Sequence, residues 1–132
     1  MFIWPISVYY EDTDAGGVVY HANYLKFFER ARSEWLANIG ISQTQLLNED
    51  MAFVVKHVSM DFKRAARFEQ KLTVHSEVAS MSGTSIKFMQ RLCDDQQACY
   101  CEAEIVVVCV QLSKMRPQGI PSFIKQELLS AR

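Results

Sequence analysis

Long apolar runs, paired cysteines and an excess of either charge are all missing from this sequence. The longest unbroken apolar run, residues 105–110, is six residues long, where a membrane-spanning helix needs about 20. The opening Met1-Phe2-Ile3-Trp4-Pro5 carries no basic region and no apolar signal core. No membrane insertion is expected, and a cytoplasmic location follows. The 14 Lys+Arg against 15 Asp+Glu leave a net charge of −1. That excludes a generally basic nucleic-acid binder, though not a local basic patch. The four cysteines, Cys93, Cys99, Cys101 and Cys109, form no C-x-x-C pair, and the histidines His21, His57 and His75 all lie upstream of them. A zinc site needs paired ligand spacing, so neither metal nor disulfide is expected. The cysteines read as small buried thiols. Also absent are the G-x-S-x-G elbow of a serine nucleophile, the phosphate-binding G-x-x-x-x-G-K-[ST] and the G-x-G-x-x-G fingerprint.

What is present is a chain of 132 residues, 49% of them apolar and 11% aromatic. Such a chain buries roughly two-thirds of its surface on folding. With no repeat, linker or low-complexity tract, residues 1–132 read as one domain. Residues 2–10 are rich in aromatic and branched side chains and predict a first strand. A polar, Gly-closed loop follows at 11–17. Then Tyr24, Phe28, Ala31, Trp35 and Ile39 recur at helical steps, with Leu25 and Leu36 beside them. Gly40 is placed to end that helix in a left-handed cap, and Arg30 and Glu34 stand four apart on its opposite face. Ser42-Gln43-Thr44-Gln45 has the spacing of a capping box, predicting a short second helix.

From residue 51 the pattern turns to strands. These cover 51–62, a stretch around Leu72, Val74 and Val78, another around Ile86, Phe88 and Leu92, and 100–112. Ser82-Gly83 and Asp94-Asp95-Gln96-Gln97 mark turns. Pro121 opens a terminal helix in which Phe123 or Ile124 aligns with Leu128. One strand, one long helix and a run of antiparallel strands make an α+β fold with the helix laid on one sheet face. Residues 105–110 are apolar at both parities. A single helix covers only one face of a small sheet, so a second chain is expected against the other.

The densest polar cluster is Tyr10-Glu11-Asp12-Thr13-Asp14-Ala15-Gly16-Gly17, followed by Val18-Val19-Tyr20-His21. Carboxylates at a helix start are favoured by its dipole and its free N–H groups. The same N–H groups can hold a developing oxyanion. A helix cap with a solvated turn would use the same residues. Asp12-x-Asp14-x-x-Gly17 begins like a calcium loop, but position 5 is Gly16 and position 12 is Asn23, so two ligands are missing.

Residues 9–32, YYEDTDAGGVVYHANYLKFFERAR, resemble the signature of the hotdog-fold acyl-CoA thioesterases related to 4-hydroxybenzoyl-CoA thioesterase. The likeness is greatest to the YbgC branch, associated in bacteria with the Tol-Pal system. It extends through Ala52-Phe53-Val54-Val55, Gly83-Thr84-Ser85 and residues 103–114. The resemblance implies a long helix wrapped by a five-stranded antiparallel sheet. It also implies homodimers paired edge to edge, often packed into tetramers, with active sites at the subunit junction. Asp14 matches the family's catalytic carboxylate, nucleophile or general base. His21 and Tyr10 match further residues implicated in this branch, and the His21 N–H falls where relatives polarise the thioester carbonyl. Another branch places a glutamate on the long helix, where this chain has Glu29 and Glu34.

The implied reaction is hydrolysis of acyl-CoA without cofactor or metal. The leading alternative is a hotdog module that binds acyl groups or acyl carrier protein without turnover. A scaffold serving envelope or phospholipid machinery is the third reading. Coenzyme A carries phosphates, and two basic groups could meet them: Lys63, Arg64, Arg67 and Lys71 between strands, and Lys114 with Arg116 near the chain end. Ala65 stands where relatives usually have proline, and Gln70 where they have an acidic residue. His57 and His75 read as ordinary strand residues.

Overall fold

The computed structural model describes residues 1–130. Its centre is helix α1 (Asn23–Asn38), laid on a curled antiparallel sheet. The strands are β1 (Phe2–Ser7), β2 (Met51–Phe62), β3 (Lys71–Met81), β4 (Ser85–Cys93) and β5 (Cys99–Gln111), in the order β1-β3-β4-β5-β2. The expected α+β hotdog arrangement forms, with one addition. A two-residue β6 (Arg116–Pro117) folds back onto the end of β5.

The first strand ends at Ser7 rather than at residue 10. The Asp12 carboxylate takes the Tyr9 N–H at 2.9 Å, and residues Tyr10–Asp12 wind into a 3₁₀ turn. Pro5 sits within β1, which lies at the sheet edge, where a missing N–H is tolerated.

The buried face of α1 is Asn23, Tyr24, Phe27, Phe28, Ala31 and Trp35. Phe27 is inside, and Leu25, expected beside the core, points outward at 38% exposed. Phe27 stands four residues before Ala31, whereas Leu25 is one step, about 100°, from Tyr24. Trp35 stacks on Phe2 at 5.8 Å and meets Phe88 edge-on at the same separation, fixing the helix end to the sheet. Gly40 closes the helix at φ +86°, and the Ser42 hydroxyl accepts the Gln45 N–H to start α2 (Gln43–Asn48). The Arg30 and Glu34 side chains form no ion pair among the described residues, where the pairs are Lys63–Glu102 and Lys87–Glu104.

The inner sheet face carries Val74, Ile86, Phe88, Ile105 and Val107 against α1. One polar group crosses this core. Fully buried Gln90 donates its amide to the Phe28 carbonyl and the Ser76 hydroxyl, and its oxygen receives Arg32. On the outer face Val108 and Val110 are 8% and 4% exposed, and Val110 lies opposite Pro117 of β6. Part of the cover expected from a second chain is therefore supplied by the chain itself. Cys93, Cys101 and Cys109 are buried, and burial raises all three thiols, Cys101 to about 12. They stay protonated and unreactive.

The terminal helix α3 (Ser122–Ser130) settles which of two adjacent residues packs. Ile124 and Leu128 are fully buried, while Phe123 is 54% exposed. Ile124→Ala is expected to cost about 2–5 kcal/mol in urea unfolding, and Phe123→Ala less than about 0.5 kcal/mol. Equal losses would contradict this packing.

Candidate active site

The loop from β1 to α1 is a tight hairpin. Thr13 bridges Val19, the Asp14 N–H reaches the Val18 carbonyl at 2.9 Å, and the Tyr20 N–H reaches the Asp12 carbonyl at 2.9 Å. Burial sorts its three carboxylates. Glu11 is exposed. Asp12 is 1% exposed, and its two oxygens accept the Tyr9 N–H and the Asn23 side-chain amide at 2.9 and 3.0 Å. Asp12 therefore joins the end of β1 to the first turn of α1.

Asp14 is left at the surface. Its Oδ1 accepts the Gly16 N–H at 2.8 Å, and Oδ2 has no hydrogen-bond partner among the described residues. A Cβ at Gly16 would lie 3.2 Å from that Oδ1, so glycine lets the backbone approach the carboxylate. Gly17 turns the tip at φ +80°.

Two shallow hollows flank this hairpin. Asp14 lines one with Tyr10, Thr13, Ala15, Gly17 and Phe68. Tyr10 is 80% exposed and its ring meets Phe68 edge-on at 5.8 Å. His21 lines the other with Val19, Tyr24, Phe62, Lys63, Arg64 and Ala65. Its ring lies 4.5 Å from that of Tyr20 and 6.5 Å from Phe62. The His21 N–H, just before α1, donates to no acceptor among the described residues. The fold thus brings Tyr10 and Asp14 to one hollow and sets His21 in its neighbour.

Residues 63–70 form the common wall of both hollows. The Val19 N–H bonds to the Ala66 carbonyl, and the Ala66 N–H bonds to the Tyr24 phenol, which burial raises and keeps protonated. Gln70 pins the other end. Its amide oxygen accepts the Arg67 N–H, and its nitrogen donates to the Tyr100 hydroxyl at 2.8 Å. That hydroxyl donates to Asp94, whose carboxyl is held low first by the Ala98 N–H. Sequence reading marked Gln70 only as a departure from relatives. Its role depends on Tyr100, 30 residues away, and no local pattern could show it.

The two basic groups are not together. The Lys63 ammonium pairs with Glu102 at 3.3 Å, and this bond raises its pKa. Arg64 and Arg67 are exposed on the same arch. Lys114 and Arg116 are exposed at the opposite end of the sheet, beyond Gln111, which pairs with Met51. The length of β2 separates the groups by about 35 Å. Among the described residues no three His, Cys, Asp or Glu side chains converge as a metal cluster, and no helix is long and apolar enough to cross a membrane.

Asp12→Asn is the variant that tests this sorting. An amide cannot accept from both donors, so one is left facing an N–H. Unfolding stability should fall by about 1–3 kcal/mol. An unchanged urea midpoint would show that Asp12 is not the clamp.

Comparison with known proteins agrees with this geometry. Residues 8–128 match the Thioesterase-like superfamily. The chain is 46% identical over 127 residues to an Escherichia coli protein named acyl-CoA thioester hydrolase YbgC, covering 96% of this chain and 95% of that protein. It is 47% identical over 125 residues to the acyl-CoA thioesterase YbgC of Haemophilus influenzae, covering 94% and 91%. A 1,4-dihydroxy-2-naphthoyl-CoA thioesterase from Synechocystis superposes with a TM-score of 0.91 at 23% identity, over 97% and 95% of the two chains, which shows the shared fold. With the Asp14 hairpin, the α1-on-sheet architecture and matches of this length, the chain belongs to the thioesterase-like hotdog family.

Proposed function

We propose that this protein hydrolyses acyl-CoA thioesters and that Asp14 is the reactive carboxylate. The observation that carries the proposal is the exposed Asp14 side chain, fixed by the Gly16 N–H through one oxygen and open at the other. The near-full-length likeness to proteins named acyl-CoA thioester hydrolase supports the reaction class.

The chemistry follows from the groups on the hairpin. The open oxygen of Asp14 either attacks the acyl carbon or takes the proton of an attacking water, and both routes need the ionised carboxylate. Negative charge then grows on the thioester carbonyl oxygen, where the unpaired His21 N–H at the start of α1 can receive it. The leaving group is a thiolate of ordinary pKa about 8.5, so it departs without a strong acid. In the general-base route Asp14 holds the water proton and passes it to the thiolate through the exposed His21 imidazole. In the nucleophilic route a water then cleaves the Asp14–acyl anhydride, supplying the thiolate's proton and freeing the acid and the carboxylate. Tyr10 borders the Asp14 hollow and orients the acyl end. Arg64 and Arg67 are the cations of the arch available for coenzyme phosphates, since Lys63 is held by Glu102.

Assembly belongs to the same reading. β1 is an edge blunted by Pro5, but β2 offers a 12-residue edge with Val55 and Phe62 more than half exposed. Such an edge invites pairing with another strand. A two-fold pairing of β2 with a second copy sets the Met51 end of one chain beside the Phe62 end of the other. The second copy's Lys114 and Arg116 then approach the first copy's arch, which gives both basic groups one substrate. The same reading treats the chain as one domain acting in the cytoplasm, where the four free thiols are at home. A tetramer, acyl carrier protein as an alternative carrier, and the Tol-Pal association of the YbgC branch go with it.

A thiol-release assay across acyl-CoA and acyl-carrier-protein substrates tests the proposal. Wild type should turn over CoA thioesters, and Asp14→Asn should lose at least about 100-fold in kcat/KM with its melting curve unchanged. Gly16→Ala, which presses on the carboxylate, should fall between them. Near-wild-type rates in Asp14→Asn would overturn the assignment, and binding without turnover by wild type would favour the binding module. Light scattering at micromolar concentration should give a mass of at least two chains. A fully active single chain would refute the shared site.

A further inference from the structure

One cavity of about 110 Å³ lies away from the Asp14 hairpin, between α1, α2 and the inner face of the sheet. Its apolar walls include Phe53, Ile86, Phe88 and Val107, and its polar side is Arg32 with Glu29, Ser33 and Gln43. Gln90 holds that guanidinium through Nη1 at 2.9 Å and is itself fully buried, with its amide nitrogen committed elsewhere. Among the described residues no carboxylate lies within ion-pair distance of Arg32. Glu29 acts on it only at longer range, and its Oε1 accepts the Ser33 hydroxyl.

A guanidinium cannot shed its charge, and it carries five N–H donors. Buried cations are normally paired. This one is part-buried with a single protein acceptor among the described residues, so it is free to take a further acceptor from an occupant of the cavity. A cavity of roughly 150 Å³ takes one benzene, so this one holds about four or five heavy atoms.

Within one chain the cavity is remote from Asp14. It sits about 15 Å along α1 from the helix start, and beside Phe53 rather than Phe62 of β2. Two-fold pairing of β2 reverses that order and turns the second copy's cavity toward the first copy's hairpin.

We infer that this cavity receives the far end of the acyl group, and that Arg32 selects acyl chains ending in a hydrogen-bond acceptor, a carboxylate above all. The inference rests on the thioesterase reading and on the β2 pairing, and adds to them the class of acyl group. Arg32 acts on specificity and takes no part in bond making.

Non-hydrolysable S-alkyl thioethers of coenzyme A test it, made at one chain length with methyl, hydroxyl or carboxylate ends. Calorimetric titration of wild type should rank carboxylate tightest and methyl weakest, with about tenfold between them. Arg32→Gln should bring that ratio to about one, and Arg32→Lys should restore part of it. A merely structural role for Arg32 would weaken all three ligands alike. The inference fails if wild type shows no preference, or if the preference survives in Arg32→Gln. Hydrolysis of the plain acyl-CoA is scored separately on wild type. Turnover without end-group preference would sink this inference and leave the proposed function standing, and preference without turnover would do the reverse.

Discussion

The buried carboxylate of Asp12 is the contact on which the Asp14 loop depends. It joins the Tyr9 N–H, two residues past the end of the first strand, to the Asn23 amide in the first turn of the long helix. A buried carboxylate with both oxygens engaged is stable only while both donors stay in place. Holding them fixes where the strand stops, where the helix begins and how the hairpin between them projects. Asp14, two residues on, is thereby held at the surface with one oxygen committed and one open. Two carboxylates so close in sequence have opposite environments: one is spent on the scaffold, and the other is left free for the role proposed for it.

Much of this was legible in the sequence. The helical spacing of Tyr24, Phe28, Ala31 and Trp35 gave the buried face of α1, because that face is apolar against a polar remainder. Gly40 and Ser42 marked the two helix ends that they do mark. The Asp14 loop was visible through its likeness to the family signature, since its composition alone serves a helix cap and solvated turn equally well. Less legible was anything set by distant partners. Asp12 and Asp14 look alike on paper, and only burial separates them. Phe27 and Leu25 are both apolar, and the helix phase decides which goes inside. Gln70 and Arg32 owe their meaning to Tyr100 and Gln90, on strands that no local pattern connects to them. Residues 105–110 are apolar on both faces, and the single chain already buries Val108 and Val110 on the outer one.

The sheet edges explain why one chain looks incomplete. β1 is closed to pairing by Pro5, and β2 is not. Along β2 the His21 hollow and its basic arch lie at one end, and the Arg32 cavity with the Lys114 turn lies at the other. Neither end alone offers a reactive carboxylate, an acyl pocket and phosphate-binding cations. The two-fold pairing proposed above would place one of each at both junctions, so that an unpaired strand edge would become the means of assembling a site.

The central claim is that the thioester sits between Asp14 and the start of α1. A crystal structure of Asp14→Asn holding an intact acyl-CoA tests it most directly. The account predicts the thioester carbonyl oxygen about 3 Å from the His21 nitrogen, with the acyl carbon facing the side chain of residue 14. An acyl-CoA bound with its carbonyl away from both would contradict it.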